Sequence, residues 1–192
     1  NFDKIPSEIM KLKNIITALL LLINSIVFSQ NAENKSKLAV KTVRAYQIKS
    51  ENKIKEFYSY LNILGKTEVN PELKQQTITE IKKLFKNENS KIPNFVNETA
   101  KEISLNDFID LVAKSNENCF FIIENMSESY VQTDTKNQSW WTIGYTLQVS
   151  KGKAKHTIRN IMQNVTLLQE EKQFGKNTKT VWSTYLTNVW LK

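Results

Sequence analysis

Ser139–Ser150 reads SWWTIGYTLQVS, in which Trp141, Ile143, Tyr145, Leu147 and Val149 alternate with Thr142, Gly144, Thr146 and Gln148. Alternation at a period of two in aromatic and β-branched residues predicts a strand, because successive strand side chains point to opposite faces. Two further runs of this kind follow, Thr157–Glu171 and Lys179–Leu191. Lys151-Gly152-Lys153 breaks one joint and Gly175-Lys176-Asn177 breaks the other. The pattern predicts three long antiparallel strands in a meander. Cys119–Tyr130 adds a strand before them, and Asp134–Gln138 reads as a polar turn.

The last two runs are apolar on both faces. Simple alternation puts Trp182, Leu186 and Trp190 on one side of the final strand, and Val181, Tyr185, Val189 and Leu191 on the other. Ile158, Met162 and Leu168 likewise stand opposite Ile161, Val165 and Leu167. An antiparallel sheet covered by helices on one face should be polar on the other. Two apolar faces call for a second cover, which is a second copy of the chain, a small apolar ligand or an envelope protein. A homodimer through the sheet is the expectation.

Upstream the period changes to that of helices. From Ser50, residues Ile54, Phe57, Tyr58, Leu61 and Leu64 form one stripe, and Gly65 stands where a helix C′ glycine belongs. Leu38–Lys49 fits both periods and is taken as helix. Asn70 and Pro71 announce the next helix as N-cap and first residue, with Ile78, Ile81, Leu84 and Phe85 as its stripe. Ser104 and Asp107 form an acidic capping box, with Ile103 and Phe108 as a hydrophobic staple. Between these helices, Lys91–Val96 predicts a short edge strand and Lys101–Ile103 its partner, since Pro93 forbids a central position.

The N-terminal residues predict export. Met10-Lys11-Leu12-Lys13 precedes an apolar run to Phe28, in the order of a signal peptide cleaved after Ser29. The run is too short to cross a bilayer core of about 30 Å, so no stable membrane span is expected after cleavage. The parts are then residues 1–9, an upstream extension of doubtful origin; 10–29, the signal peptide; 30–49, a linker or helix; and 50–192, the folded domain. A bacterial periplasmic or secreted protein follows.

Composition narrows the chemistry. Formal net charge is +8, yet only Arg44 and Arg159 are arginines, and the lysines are interleaved with glutamates. Bidentate readout of bases and phosphates favours arginine, so no nucleic-acid partner is expected. Cys119, the single cysteine, lies in an apolar run and reads as a buried thiol. No Cys/His cluster calls for a metal and no glycine loop for a phosphate cofactor, so neither is expected. His156, the single histidine, sits in a lysine-rich turn. Asp107 and Asp110 read as solvated, and Glu170 and Glu171, being adjacent on a strand, point to opposite faces.

The order of helix pair, Ile92–Ile103 hairpin, Ser104 helix and long antiparallel strands resembles the nuclear transport factor 2-like superfamily over residues 50–191. The stretches Ile103–Phe108 and Glu170–Gly175, with Val181-Trp182, also resemble small exported envelope proteins. The resemblance implies an α+β fold in which N-terminal helices pack on a curved, mainly antiparallel, cone-shaped sheet. That superfamily holds enzymes, which place an Asp inside the cone, and many non-catalytic modules. No catalytic residue carries over onto this chain. The expected function is a non-catalytic exported binding or interaction module of the envelope. The alternative is a cofactor-free enzyme, an isomerase or dehydratase resembling polyketide cyclases, with its site in the cone. The candidate pocket or interface residues are Tyr58, Trp141, Tyr145, Trp182, Tyr185 and Trp190.

Overall fold

The structure, a computed structural model, describes residues 40–97, 101–128, 131–133, 139–153 and 157–192. The chain divides into a unit Asn1–Val43 and a unit Arg44–Lys192, and apart from the opening residues of the first helix every element below belongs to the second. The signal-like segment, the 134–138 turn and His156 lie outside the described residues.

From Val40 the ambiguous stretch resolves as helix, and α1 (Val40–Leu64) runs unbroken through Ser50. Ser50 is therefore not a helix start. Its hydroxyl donates to the Tyr46 carbonyl at 2.8 Å, a turn back, which satisfies a polar side chain inside the helix. Ile54, Phe57, Tyr58, Leu61 and Leu64 are buried, as their spacing requires. In α2 (Pro71–Leu84), Asn70 caps by accepting from Glu72 N at 2.8 Å. The buried stripe there is Thr77, Ile81 and Leu84, continued by Phe85, whereas Ile78 is only half-buried. β1 (Lys91–Pro93) and β2 (Glu102–Ser104) form the expected hairpin. Ser104 then caps α3 (Leu105–Ala113), its Oγ accepting from Asp107 N at 3.1 Å and donating to the Asp107 carboxylate at 2.7 Å.

The large sheet contains β3 (Cys119–Glu128), β4 (Gln132–Thr133), β5 (Ser139–Lys151), β6 (Thr157–Phe174) and β7 (Asn177–Leu191). Its order is β3-β5-β6-β7 with β4 on the start of β5, and every pairing is antiparallel. The fold is α+β. Trp141, Ile143, Tyr145, Leu147 and Val149 line the buried inner face together with Ile161, Val165 and Leu167. A run of aromatic contacts ties the helices to that face. Phe85 meets Phe57 at 5.0 Å, Tyr58 meets Phe121 at 5.9 Å and Tyr145 at 5.8 Å, and Phe108 meets Phe121 at 6.3 Å.

The register of β7 corrects the simple alternation. Gln163 pairs with Val189 but Val165 pairs with Leu186, so β7 carries one extra residue there. Leu186 and Val189 both turn inward as a result, and Trp190 moves to the outer face with Tyr185. Polar residues fill the bulge. Thr187 Oγ1 donates to Asn164 O at 3.1 Å, and Asn188 Oδ1 accepts from Lys91 N at 2.9 Å.

A side chain covers part of the β3 edge of the sheet. At β3, Phe121 N donates to Asn62 Oδ1 at 2.7 Å while Asn62 Nδ2 donates to Phe121 O at 2.9 Å. One amide thus replaces a neighbouring strand. Asn62→Ala is expected to cost about 1–2 kcal/mol in urea denaturation and to speed amide exchange at Phe121. Unchanged exchange there would show that the amide does not hold this edge. Gly65 ends α1, but not as the left-handed cap its position suggests. Among the described residues positive φ occurs only at Asn125, Gly152 and Gly175.

Candidate functional site

The sheet separates the six aromatic residues that the sequence groups together. Tyr58, Trp141 and Tyr145 are buried beneath the inner face. Tyr185 and Trp190 are half-buried on the outer face, opposite Thr166 and Met162. Trp182, opposite Gln169, stands half-buried where β6 and β7 leave the rest of the sheet.

A polar chain crosses the inner core. The hydroxyls of Tyr58 and Tyr145 lie 2.9 Å apart, and Tyr145 Oη donates to Gln163 Oε1 at 3.0 Å. Since the Tyr145 proton goes to Gln163, Tyr58 donates to Tyr145. Burial pushes both hydroxyls above the ordinary tyrosine pKa, so both stay neutral. Gln163 Nε2, Trp141 Nε1 and Thr184 Oγ1 are buried on this face without a hydrogen-bond partner. Among the described residues no Asp, Glu or His is buried. The chain is a fixed hydrogen-bond relay with spare donors, and it lacks a group that titrates near neutrality. Gln163 and Thr184 escape a search for apolar alternation. The signal that finds them is a polar residue at an inward position.

The outer face is different. Ile122 and Ile158 both pair with Gln148 from opposite sides, and Phe120 lies one position along from Ile122 on that face. Phe120, Ile122 and Ile158 are 41%, 46% and 63% exposed, an apolar patch on a surface with no helix over it. Half-buried Met162 and Trp190, which are paired, lie farther along the same face, beyond the polar row of Thr146 and Asn160. An open hollow of about 420 Å³ lies beside Gly144, lined by Asn125, Ser127, Thr146, Asn160, Met162 and Lys192. Asn125 has φ 54 in the bulge where β3 skips between Glu124 and Ser127. A second hollow, about 560 Å³, lies by the end of α3 and includes Lys114, Glu117 and Lys151. Its lysines are matched, Lys114 to Asp110 at 2.7 Å and Lys151 to Glu117 at 4.0 Å.

At the β7 edge, Lys53 reaches from α1 to donate to Thr184 O at 2.5 Å, with its Nζ 5.0 Å from the Tyr185 ring centroid. Burial, with Lys49 nearby, lowers its pKa. Tyr185 in turn donates to Glu170, which holds that carboxyl below its ordinary range, helped by Ser183 and Lys172. The Lys53 contacts fasten β7 to α1. Cys119 is buried, its Sγ 3.5 Å from Ser115 Oγ, and no group of metal-binding residues occurs among the described residues. No described helix is long and apolar enough to cross a membrane. Compared with family models, curated proteins and solved structures, the chain matches none.

Proposed function

We propose that the chain is an exported, non-catalytic interaction module of the bacterial envelope, of the nuclear transport factor 2-like kind, whose outer sheet face takes a second copy of itself. The exposed Phe120, Ile122 and Ile158, on a face that the helices leave open, carry this reading. A soluble chain gains by covering such a patch, because buried apolar area is worth about 25 cal/mol per Å².

Charge favours a second copy as the cover. Glu124 pairs with Thr146, Thr146 with Asn160, and Lys192 N donates to Asn160 O at 2.9 Å. One cross-strand row therefore runs from an acid on β3 to a base beyond β7. A two-fold axis parallel to the strands sets Glu124 of one copy over Lys192 of the other. The face offers roughly 700 Å² per copy from strand length and spacing, near the lower range of stable interfaces. A micromolar dimer is expected. Sedimentation at about 100 μM should give a dimer, and Ile158→Glu should weaken it about tenfold or more. A monomer at that concentration removes the reading.

The inner polar chain favours a second reading, a small polar ligand or water held at Gln163. A bound small molecule released on denaturing the purified protein, and seen by mass spectrometry, would support it. A clean spectrum would leave water as the occupant.

A further inference from the structure

We propose that the tip of the β6–β7 ribbon docks on an anionic bilayer surface. The pairing of β5 with β6 ends at Ser139↔Leu167, and from Leu168 onward β6 is paired, among the described residues, with β7 alone. Seven pairs follow, from Leu168↔Ser183 to Phe174↔Asn177. At about 3.3 Å per residue the ribbon reaches roughly 20 Å past the sheet. From Glu171 to Thr180 every residue is exposed, so neither face of the ribbon is covered. An isolated two-stranded ribbon gains little from its own packing. Its length places the tip, rather than the body, against a flat surface.

The chemistry of the tip suits that surface. Residues 172–179 read KQFGKNTK, with three lysines and no acid. Lys172 and Lys179 face each other across the ribbon, a like-charge pair that costs stability unless an anion lies between them. Lys172 has Glu170 at 3.5 Å, whereas Lys176 and Lys179 form no ion pair among the described residues. At the turn, Phe174 is 52% exposed. A soluble polyanion would satisfy the lysines and leave that ring in water. A bilayer satisfies both, phosphates taking the ammonium groups while the ring enters the headgroup–acyl boundary. Gly175, at φ 63, makes the tight turn that presents Phe174 and Lys176 together. The ribbon lies beyond β5, so docking leaves the outer sheet face free and does not depend on the dimer.

The test uses the full chain carrying Asn177→Cys, labelled with an environment-sensitive dye; Cys119 is buried and does not compete for it. The dye reports the ribbon, not attachment through the apolar run that ends at Phe28. Vesicles of phosphatidylcholine with about one-third phosphatidylglycerol should shift its emission to the blue, and high salt should reverse the shift. Lys172→Gln and Lys179→Gln should each weaken the response about fivefold, and Phe174→Ser should abolish the blue shift. An unchanged dye with these vesicles overturns the proposal. So does an equal shift with pure phosphatidylcholine or with dextran sulfate, or a shift that survives Phe174→Ser.

Discussion

Gly65→Ala is expected to lower stability by about 3 kcal/mol, a fall in melting temperature of about 6–12 °C. Nothing in the conformation of Gly65 demands glycine, since its φ is outside the left-handed region. Contact demands it. A Cβ there would stand 2.5 Å from Cys119 O and 3.0 Å from Cys119 Cβ. Neither neighbour is the far end of a flexible side chain, so no rotamer change relieves the clash. The start of β3 must move away from the end of α1. That movement pulls on the bond from Cys119 N to Gly65 O at 2.8 Å and on the Asn62–Phe121 pair beside it. Gly175→Ala is the contrast. There φ is 63 and nothing lies within 4 Å, so the cost is the backbone preference alone, about 1 kcal/mol. Thermal or urea unfolding of the two variants decides the matter. If Gly175→Ala proves the costlier change, close approach is not what selects Gly65.

The contrast between these glycines shows which features the sequence carries openly. Local rules were legible. Asn70-Pro71 and Ser104…Asp107 specify helix starts from a few neighbouring atoms, and both caps form as their residue types require. The alternation around Tyr145 gave the strands and their inner face for the same reason. Features set by a distant partner were not legible. Gly65 looks like a helix cap until Cys119, far along the chain, is placed against it. The β7 bulge defeats alternation because one extra residue exchanges the faces beyond it, moving Trp190 outward and Val189 inward. Its trace is the polar pair Thr187-Asn188 between apolar neighbours, the first bonding to Asn164 O across the bulge and the second to Lys91 N on β1.

The candidate site divides the same way. Outward apolar residues on β6 were countable from the sequence, so the uncovered face could be anticipated. That Tyr58 on a helix meets Tyr145 on a strand, with Gln163 beyond, depends on how α1 crosses the sheet. No spacing in the sequence encodes that crossing. Likewise, Trp141, Tyr145, Trp182, Tyr185 and Trp190 crowd the C-terminal strands in the sequence, yet strand residues divide between the two faces of one layer.

Tyr145→Phe is expected to cost about 2–3 kcal/mol, more than a hydroxyl ordinarily contributes, because it strands both of its partners. The Tyr58 hydroxyl loses its acceptor and the Gln163 carbonyl loses its donor, each in a buried site. Removing all the polar groups should behave differently. The triple variant Tyr58→Phe, Tyr145→Phe, Gln163→Met leaves no orphan in the chain and keeps side-chain volumes close. It should fall within about 1 kcal/mol of the natural protein in urea denaturation. The single losses would then sum to far more than the triple, as expected for groups acting as one network. pH offers an independent check. Both tyrosines have folded pKa values raised above the ordinary 10.0 by burial. Their contribution is therefore complete below that value, and falls above it as the unfolded chain ionises while the folded one does not. Tyr145→Phe should flatten this alkaline loss, having one fewer group to titrate. Additive losses among the three changes, with an unaltered alkaline slope, would mean that the hydroxyls do not act as a linked chain, and that Gln163 owes its place on the inner face to whatever its free Nε2 meets.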